Sequence, residues 1–216
     1  MSPGYLIKQA LNRVLPGKLV LHRRFRDNAC IALTFDDGPH PDNTPRILES
    51  LANTGAKATF FVQGSEAKKY PGLVREMLAN GHQVANHGFN HLDSRQTGLS
   101  EYVDDINRAQ NTLRDIVGQE ISRTFRPPYG SVTLASFLTL SRLKYRYVFW
   151  SVDTEDSYIR TTENLLNHVR SLAVSTGDIL LMHEDYKHTT LILDDCIRHF
   201  QNQDFRLVTI DGLLSD

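Results

Sequence analysis

The sequence predicts an α/β fold in which helices wrap a mainly parallel sheet, and three observations support this. Short apolar runs rich in β-branched and aromatic residues alternate about seven times with amphipathic stretches. No linker rich in Pro, Gly or Ser divides the 216 residues, a length that suits one domain. Hydrophobic residues make up 40% and charged residues 23%, as in an ordinary globular protein.

The strand candidates are dominated by Val, Ile, Phe, Tyr and Thr, as expected of strands. They are 30–35, 57–63, 83–86, 123–126, 145–151, 178–183 and 205–210. Periodicity does not show whether such a sheet closes into a barrel. In parallel α/β folds the functional groups gather where the strands end, so each functional motif should directly follow a strand.

The helices between the strands are marked by capping residues and glycines. Thr44 is typical of an N-cap, Ser100 of a second helix start, and Gly55 and Gly118 of the two ends. A third helix is predicted to end at Gly177, and a fourth spans 188–200.

Charge and cysteine content exclude several classes of protein. The net charge of -1 argues against a general nucleic-acid binder, which needs clustered excess Lys and Arg. Cys30 and Cys196 lie far apart and predict two buried, unpaired side chains, a usage that fits a reducing compartment.

The N-terminal segment resembles neither a membrane span nor a secretory signal, because basic residues interrupt every apolar run. We therefore expect a cytoplasmic protein. Residues 5–15 place apolar side chains at helical spacing and predict a helix packed on its own domain. Contact of this helix with a membrane surface is the weaker alternative, because the stretch is short.

Two adjacent carboxylates, Asp36 and Asp37, directly follow the strand candidate 30–35 and precede Gly38. A surface turn explains this sequence, since Asp and Gly favour turns. A metal site explains it equally well, because an ion can bind one carboxylate and leave the other as a base.

His87 and His91 follow the strand candidate 83–86. Four-residue spacing lets two imidazoles converge on one ion if the segment forms one helical turn. With Asp37 they would supply three ligands and leave positions open for water and substrate, as in catalytic zinc sites. Two unrelated loop histidines are the alternative interpretation.

Three further segments end strands with polar side chains. Arg126 begins a proline-stiffened loop that could aim its guanidinium at a carboxylate. His183 ends the strand candidate 178–183, and a carboxylate such as Asp153 could hold it in one tautomer. A rigid turn, an acidic loop and a structural histidine are the corresponding alternatives.

These segments, in this order, resemble the polysaccharide deacetylase family, also called the NodB-homology domain or carbohydrate esterase family four. The resemblance covers about residues 30–210 and rests on five motifs. They are TFDDGP at 34–39, ATFFV at 58–62, GHQVANH at 81–87, RPPYG at 126–130 and LMH at 181–183. It implies a distorted (β/α) barrel of about seven strands. We assign residues 29–216 to this domain and residues 1–28 to an N-terminal extension, which the spacing over 5–15 predicts to be helical.

The resemblance also implies a metal site. Asp37, His87 and His91 match the family's ligands of a divalent ion, with zinc the first expectation and cobalt, nickel or iron as alternatives. Asp36 matches the general base, and Arg126 would orient it.

The remaining roles concern the acid and the substrate. His183 matches the general acid, with Asp153 as its partner. The backbone N–H of Tyr129 would help to bind the oxyanion, and Leu181 would line the acetyl pocket. Pro128 and Tyr129 are further expected substrate contacts.

The sequence departs from the family pattern at two positions. Gly88 replaces the usual Ser or Thr after the first histidine and removes a side-chain hydrogen bond. Ser157 occupies the place of a tryptophan that would wall the acetyl pocket; Tyr158 is a candidate substitute, whereas Trp150 is not presumed to be one.

The expected function is metal-dependent removal of N-acetyl groups from an N-acetylated glycan or lipid-linked sugar. Asp36 would take a proton from the attacking water, and His183 would protonate the leaving amine. O-acetyl esterase activity is the alternative on the same site. An iron(II) oxygenase and a sugar-binding pseudoenzyme are the rivals, although neither needs both Asp36 and His183.

Overall fold

The computed structural model describes residues 20–24 and 29–215. Within them the strands are β1 (Val20–Leu21), β2 (Cys30–Asp36), β3 (Thr59–Val62), β4 (Gln83–Asn86), β5 (Thr124–Phe125), β6 (Arg146–Val148), β7 (Val152–Asp153), β8 (Ile179–His183) and β9 (Arg206–Val208). The helices are α1 (Asn43–Thr54), α2 (Gly64–Lys69), α3 (Pro71–Ala79), α4 (Leu99–Val117), α5 (Leu134–Arg142), α6 (Thr162–Ser171), α7 (Lys187–Gln201) and α8 (Ile210–Leu214). The predicted helix over 5–15 lies outside the described residues.

All pairings between these strands are parallel, in the order β1-β6-β5-β4-β3-β2-β8-β7, and β9 also pairs with β2. The segment 146–153 closes the curled sheet, because its first part pairs with β5 and its last part with β8. The predicted distorted barrel is therefore confirmed. It has nine strands among the described residues rather than about seven.

Both additional strands, β1 and β7, correct a prediction made from the sequence. The run 145–151 does not form one strand: pairing stops after Val148 and resumes at Val152. Val20 and Leu21 pair with β6 although they fall in the predicted extension over 1–28, so the sheet begins before residue 29.

Strand β2 shows why the apolar runs are continuous. Ile31, Leu33 and Phe35 point outward to a core shared with the helices, whereas Cys30 and Ala32 face the barrel interior. Both faces are buried, so both need apolar residues. The interior cluster includes small side chains such as Ala32 and Ala85, which leave room for larger groups inside the barrel.

Two of the three helices that were predicted to end at a glycine do so. Gly55 and Gly118 adopt left-handed conformations with φ of 70° and 77° and donate their N–H groups back to the last turn. The third prediction was wrong: α6 ends at Ser171, with Leu172 as its C-cap, and Gly177 instead forms the turn into β8. Thr44 lies one residue inside α1, where its hydroxyl accepts from the His40 N–H at 2.8 Å.

Both cysteines are buried free thiols, as predicted. None of the helices formed by residues 20–24 and 29–215 combines the length and the apolarity needed to cross a membrane.

The N-terminal residue of α2 tests the packing of this helix against α4. A Cβ at Gly64 would lie 2.5 Å from Phe89 Cδ2 and 3.0 Å from Ala109 Cα. Gly64→Ala should therefore lower the free energy of unfolding by about 1–3 kcal/mol, the usual cost of overpacking. Urea unfolding measures this change.

Gly72→Ala in α3 is the matched control, because nothing lies within 4 Å of a Cβ there. This variant should be neutral or more stable by about 0.4–1 kcal/mol. Equal midpoints for the two variants would contradict the packing account.

Candidate active site and metal centre

The strand register brings the predicted motifs together at one end of the barrel. Asp36 at the end of β2 is paired with His183 at the end of β8. Asn86 pairs with Phe125, which places the following residues, His87 and Arg126, side by side. The expectation that each motif follows a strand is confirmed for these residues.

Arg126 crosses the barrel interior and reaches Asp36. Its side chain is fully buried, and its Nη1 donates to Asp36 Oδ1 at 2.7 Å and to Thr34 Oγ1 at 2.8 Å. Nη2 and Nε point to the carbonyls of Phe149 and Val148 at 3.2 Å and 3.4 Å. Burial lowers the pKa of Arg126, and the charge of Asp36 opposes that effect.

Asp37, His87 and His91 form a three-residue group whose ligand atoms all lie within 4.8 Å of one another. Asp37 Oδ1 is 3.1 Å from His91 Nε2 and 3.5 Å from His87 Nε2. The histidines do not converge through a helical turn as expected. Instead Gly88 and His91 have φ of 77° and 57°, and the chain turns back in an irregular loop.

Hydrogen bonds around this group fix the ligand atoms. His87 Nδ1 lies 2.8 Å from the Arg126 carbonyl, which only accepts, so Nδ1 carries the hydrogen and Nε2 keeps its lone pair for the site. Gln63 Nε2 donates to Asp37 Oδ1 at 2.8 Å. Two imidazole nitrogens and one carboxylate, each oriented by an outer partner, fit a divalent metal such as zinc.

The pKa shifts in this group favour the protonation states that can bind a metal ion. Burial raises the pKa of Asp37, but His87, His91 and the Gln63 hydrogen bond outweigh it and leave that pKa below its usual value. Burial and the charge of His87 lower the pKa of His91. An ionised carboxylate and a neutral imidazole are the forms that bind metal.

The loop 88–91 is held in place by Asp105, which projects from α4. Its carboxylate accepts from the Phe89 N–H at 2.7 Å, from the Asn90 N–H at 3.1 Å and from Asn90 Nδ2 at 2.7 Å. Gly88 itself donates to Asn86 Oδ1 at 2.8 Å. These bonds steady the loop without the Ser or Thr side chain that Gly88 lacks.

The predicted partner of His183 is corrected by the structure. His183 Nδ1 lies 2.7 Å from Asp156 Oδ1, and its backbone N–H donates to Asp156 Oδ2 at 2.8 Å. Asp153 Oδ1 instead accepts from the Glu155 N–H at 2.9 Å. Asp153 ends β7 beside Leu181, so the chain needs three more residues to bring a carboxylate to His183.

The His183 imidazole is strongly perturbed. Burial lowers its pKa, but the hydrogen bond and charge of Asp156, with the more distant Asp36 and Asp37, raise it to about 9. Because the Asp156 carboxylate accepts, His183 Nδ1 is a donor, and Nε2 is the nitrogen left to exchange a proton at the cleft.

One cleft of about 380 Å³, a volume typical of small-molecule sites, is lined by Asp36, Asp37, His87, His91 and His183. Leu181, Trp150 and Tyr129 line it, as do Ser157 and Tyr158. Trp150 thus lies at the cleft although its sequence position gave no reason to expect it.

Pro128, predicted as a substrate contact, is buried next to Gly88, and the neighbouring Pro127 lines the cleft instead. Tyr129 has φ of 59° and packs its ring against His91, with ring centroids 4.6 Å apart.

Position 38 in the DDGP motif requires glycine because the Glu184 side chain lies directly against it. A Cβ there would lie 1.8 Å from Glu184 Oε1. The Glu184 side chain is fully buried, its Oε2 accepts from the Thr44 hydroxyl, and burial raises its pKa to about 8. The turn that follows Asp36 and Asp37 therefore packs against the Glu184 carboxyl group.

Sequence reasoning missed Gln63, Asp105, Asp156 as the partner of His183, and Trp150. One of them had a readable signal: Asp105 shares a helix face with buried Tyr102 and Ala109, where a carboxylate needs a partner. The others depend on contacts between distant segments.

The fold and the site together define a curled parallel α/β barrel with an Asp-His-His group at the strand ends. A family model described as polysaccharide deacetylase matches residues 24–148, more than half of the chain. The chain belongs to the polysaccharide deacetylase family.

Two relatives show how far the similarity extends. The peptidoglycan-N-acetylglucosamine deacetylase PgdA of Listeria monocytogenes is 37% identical over 191 residues, which are 88% of this chain and 40% of PgdA. The chain thus spans less than half the length of that relative. A chitooligosaccharide deacetylase of Azorhizobium caulinodans is 37% identical over 74% of this chain and 75% of its own length.

Solved structures agree with the fold. The peptidoglycan deacetylase PdaC of Bacillus subtilis has a TM-score of 0.80 and 34% identity, covering 87% of this chain and 91% of that one. A pseudoenzyme of the same family from Bacillus anthracis has a TM-score of 0.84 and 25% identity, covering 94% and 71%. The barrel alone therefore does not establish activity, which has to be argued from the site residues.

The His183–Asp156 contact predicts a measurable titration. In the metal-free protein, the His183 imidazole should titrate with a pKa of about 9, above the ordinary value for histidine. Asp156→Asn removes the charge that raises this pKa, so the titration should move to lower pH. Histidine ring NMR signals followed between pH 5 and 10 measure it.

Asp153→Asn is the control for this titration, since Asp153 is not hydrogen-bonded to His183. It should lower the pKa of His183 much less than Asp156→Asn does. A larger decrease in the pKa of His183 in Asp153→Asn than in Asp156→Asn would identify Asp153 as the partner.

The three-ligand group predicts zinc binding. His91→Ala removes one of three candidate ligands and should weaken zinc affinity by at least about 100-fold, beyond the 10–100-fold typical of losing an outer partner. Competition with a chromophoric chelator measures this affinity. His199→Ala on α7 is the control and should bind zinc as the wild type does; equal affinity of both variants would exclude His91 as a ligand.

Proposed function

We propose that this protein is a metal-dependent hydrolase that removes N-acetyl groups from an N-acetylated glycan. The observation that carries the proposal is the arrangement of Asp36 beside the group Asp37, His87 and His91, with His183 in the same cleft. A carboxylate next to a metal site and a second proton-transfer group are what amide hydrolysis requires.

Asp37, His87 and His91 would hold the ion, with zinc as the first expectation and cobalt, nickel or iron as alternatives. A bound divalent ion lowers the pKa of its water and polarises the acetyl carbonyl. Asp36 is not one of the three grouped ligand residues, so its Oδ2 stays available as a base, while Oδ1 accepts from Arg126.

Asp36 acts in this proposal as the general base that takes a proton from water as it attacks the acetyl carbon. Arg126 holds the Asp36 carboxylate in one orientation. His183, protonated at neutral pH and oriented by Asp156, donates a proton from Nε2 to the leaving amine. The products are acetate and a free amino sugar.

The substrate contacts follow from the cleft lining. Leu181 and Trp150 offer apolar surface to the acetyl methyl group. The backbone N–H of Tyr129, on the strained turn over 128–130, is proposed to bind the oxyanion. Because the relatives are named for peptidoglycan and chitooligosaccharides, N-acetylglucosamine-containing glycans are the proposed substrates.

The pseudoenzyme alternative is disfavoured by the chemistry of the site. Binding alone gains nothing from a buried Asp36–Arg126 ion pair or from an imidazolium held by Asp156. The O-acetyl esterase alternative uses the same residues, and the substrate distinguishes it.

The decisive test is acetate release from N-acetylglucosamine oligomers by the zinc-loaded protein and by Asp36→Asn. Asp36→Asn removes the base without removing a ligand. Its kcat should fall by about 100-fold or more, while zinc affinity changes only a few-fold, since general-base catalysis contributes about 10²–10⁴-fold.

Two outcomes would contradict the proposal. Equal kcat for the wild type and Asp36→Asn would exclude Asp36 as the base. If the protein binds zinc but releases acetate only from O-acetylated sugars, the N-deacetylase proposal is contradicted and the O-acetyl esterase alternative is supported.

A further inference from the structure

Tyr158 occupies the rim of the cleft, next to the position where the family's tryptophan is missing. Its side chain lines the cleft and is nevertheless 78% exposed. A wall of the acetyl pocket would be buried, as Leu181 is at 4% exposure. Tyr158 therefore does not replace the missing tryptophan, and its ring is available to another part of a substrate.

The backbone of Tyr158 is held firmly although its ring is exposed. Its N–H and that of Ile159 both donate to the Glu155 carbonyl, at 2.9 Å and 2.8 Å. Two residues before it, the buried Asp156 accepts from Thr189 Oγ1 at 2.9 Å. Because the backbone is already ordered, binding to this ring costs less entropy than binding to a mobile loop.

Tyr158 is also fixed relative to the proposed acid, since Asp156 in the same turn holds His183. The other exposed tyrosine of the cleft, Tyr129, is 69% exposed and stands against His91, on the side of the proposed metal ligands. The cleft thus has one exposed aromatic ring beside the proposed metal ligands and another on the turn that holds the proposed acid.

We propose that Tyr158 is a specificity-determining residue that stacks against the sugar ring next to the one being deacetylated. The ring C–H groups of a pyranose present partial positive charge, which suits the negative face of an aromatic ring. The substrate class is then an oligomer or polymer of N-acetylated sugars, and a single sugar leaves Tyr158 unused. This inference rests on the proposed function.

The test compares chain-length dependence rather than absolute activity. The ratio of kcat/KM for the pentamer of N-acetylglucosamine to that for the monosaccharide is measured for the wild type, Tyr158→Ala and Tyr158→Phe. Tyr158→Ala should lower this ratio about ten-fold, whereas Tyr158→Phe keeps the ring and should preserve it. General damage to the site changes both substrates and cancels in the ratio.

Leu143→Ala is the matched control, because Leu143 is also exposed, at 38%, but lies before the N-terminal end of β6, away from the strand ends that form the cleft. It should leave the ratio unchanged. An unchanged ratio in Tyr158→Ala, or an equal loss in Leu143→Ala, would overturn the proposal.

Binding separates this inference from the proposed function. Trp150 is the single tryptophan of the chain and lines the cleft, so its fluorescence reports on ligand binding. In the zinc-loaded Asp36→Asn background, Tyr158→Ala should weaken pentamer binding about ten-fold relative to the monosaccharide. This result would support Tyr158 even if no acetate were released, and an unchanged Kd ratio would reject it even in an active enzyme.

Discussion

The buried ion pair between Arg126 and Asp36 is the interaction on which the rest of the site depends. A guanidinium at 0% exposure is tolerated only when its donors and its charge are matched. Asp36 supplies the charge, Thr34 on the same strand β2 supplies one acceptor, and the carbonyls of Val148 and Phe149 at the end of β6 supply two more. The pair therefore links β2, β5 and the end of β6 around the proposed base.

Around this pair, several non-glycine residues adopt backbone conformations with positive φ, which residues with a side chain normally avoid. Asp37, His91 and Tyr129 have φ of 72°, 57° and 59°. Such residues persist only where their surroundings over-determine them, and they cluster at functional sites. Here Gln63 holds the side chain of Asp37, and Asp105 holds the loop before His91, so the strain is balanced by bonds from neighbouring helices and loops.

Strand composition and motif position predicted the parallel sheet and the convergence of Asp36, His87, Arg126 and His183 at its strand ends, because both follow from local pattern and parallel pairing. Closure of the sheet into a barrel was implied only by the resemblance to the family. Contacts between distant segments were not predictable in the same way. Asp153 and Asp156 are equivalent as sequence, and only the path of the turn after β7 brings Asp156 to His183. Similarly, no local signal shows that two residues preceding the predicted domain would pair with β6.

In the proposed site, Arg126 orients Asp36 through a planar set of donors, which a point charge cannot replace. Arg126→Lys keeps the charge but loses contacts to Thr34 and to the two carbonyls. We expect the free energy of unfolding to fall by at least about 2 kcal/mol and kcat for acetate release from N-acetylglucosamine oligomers to fall by about 100-fold or more, with zinc still bound. The measurement to make is kcat of the zinc-loaded, folded Arg126→Lys variant. A wild-type kcat in this variant would contradict the orienting role of Arg126.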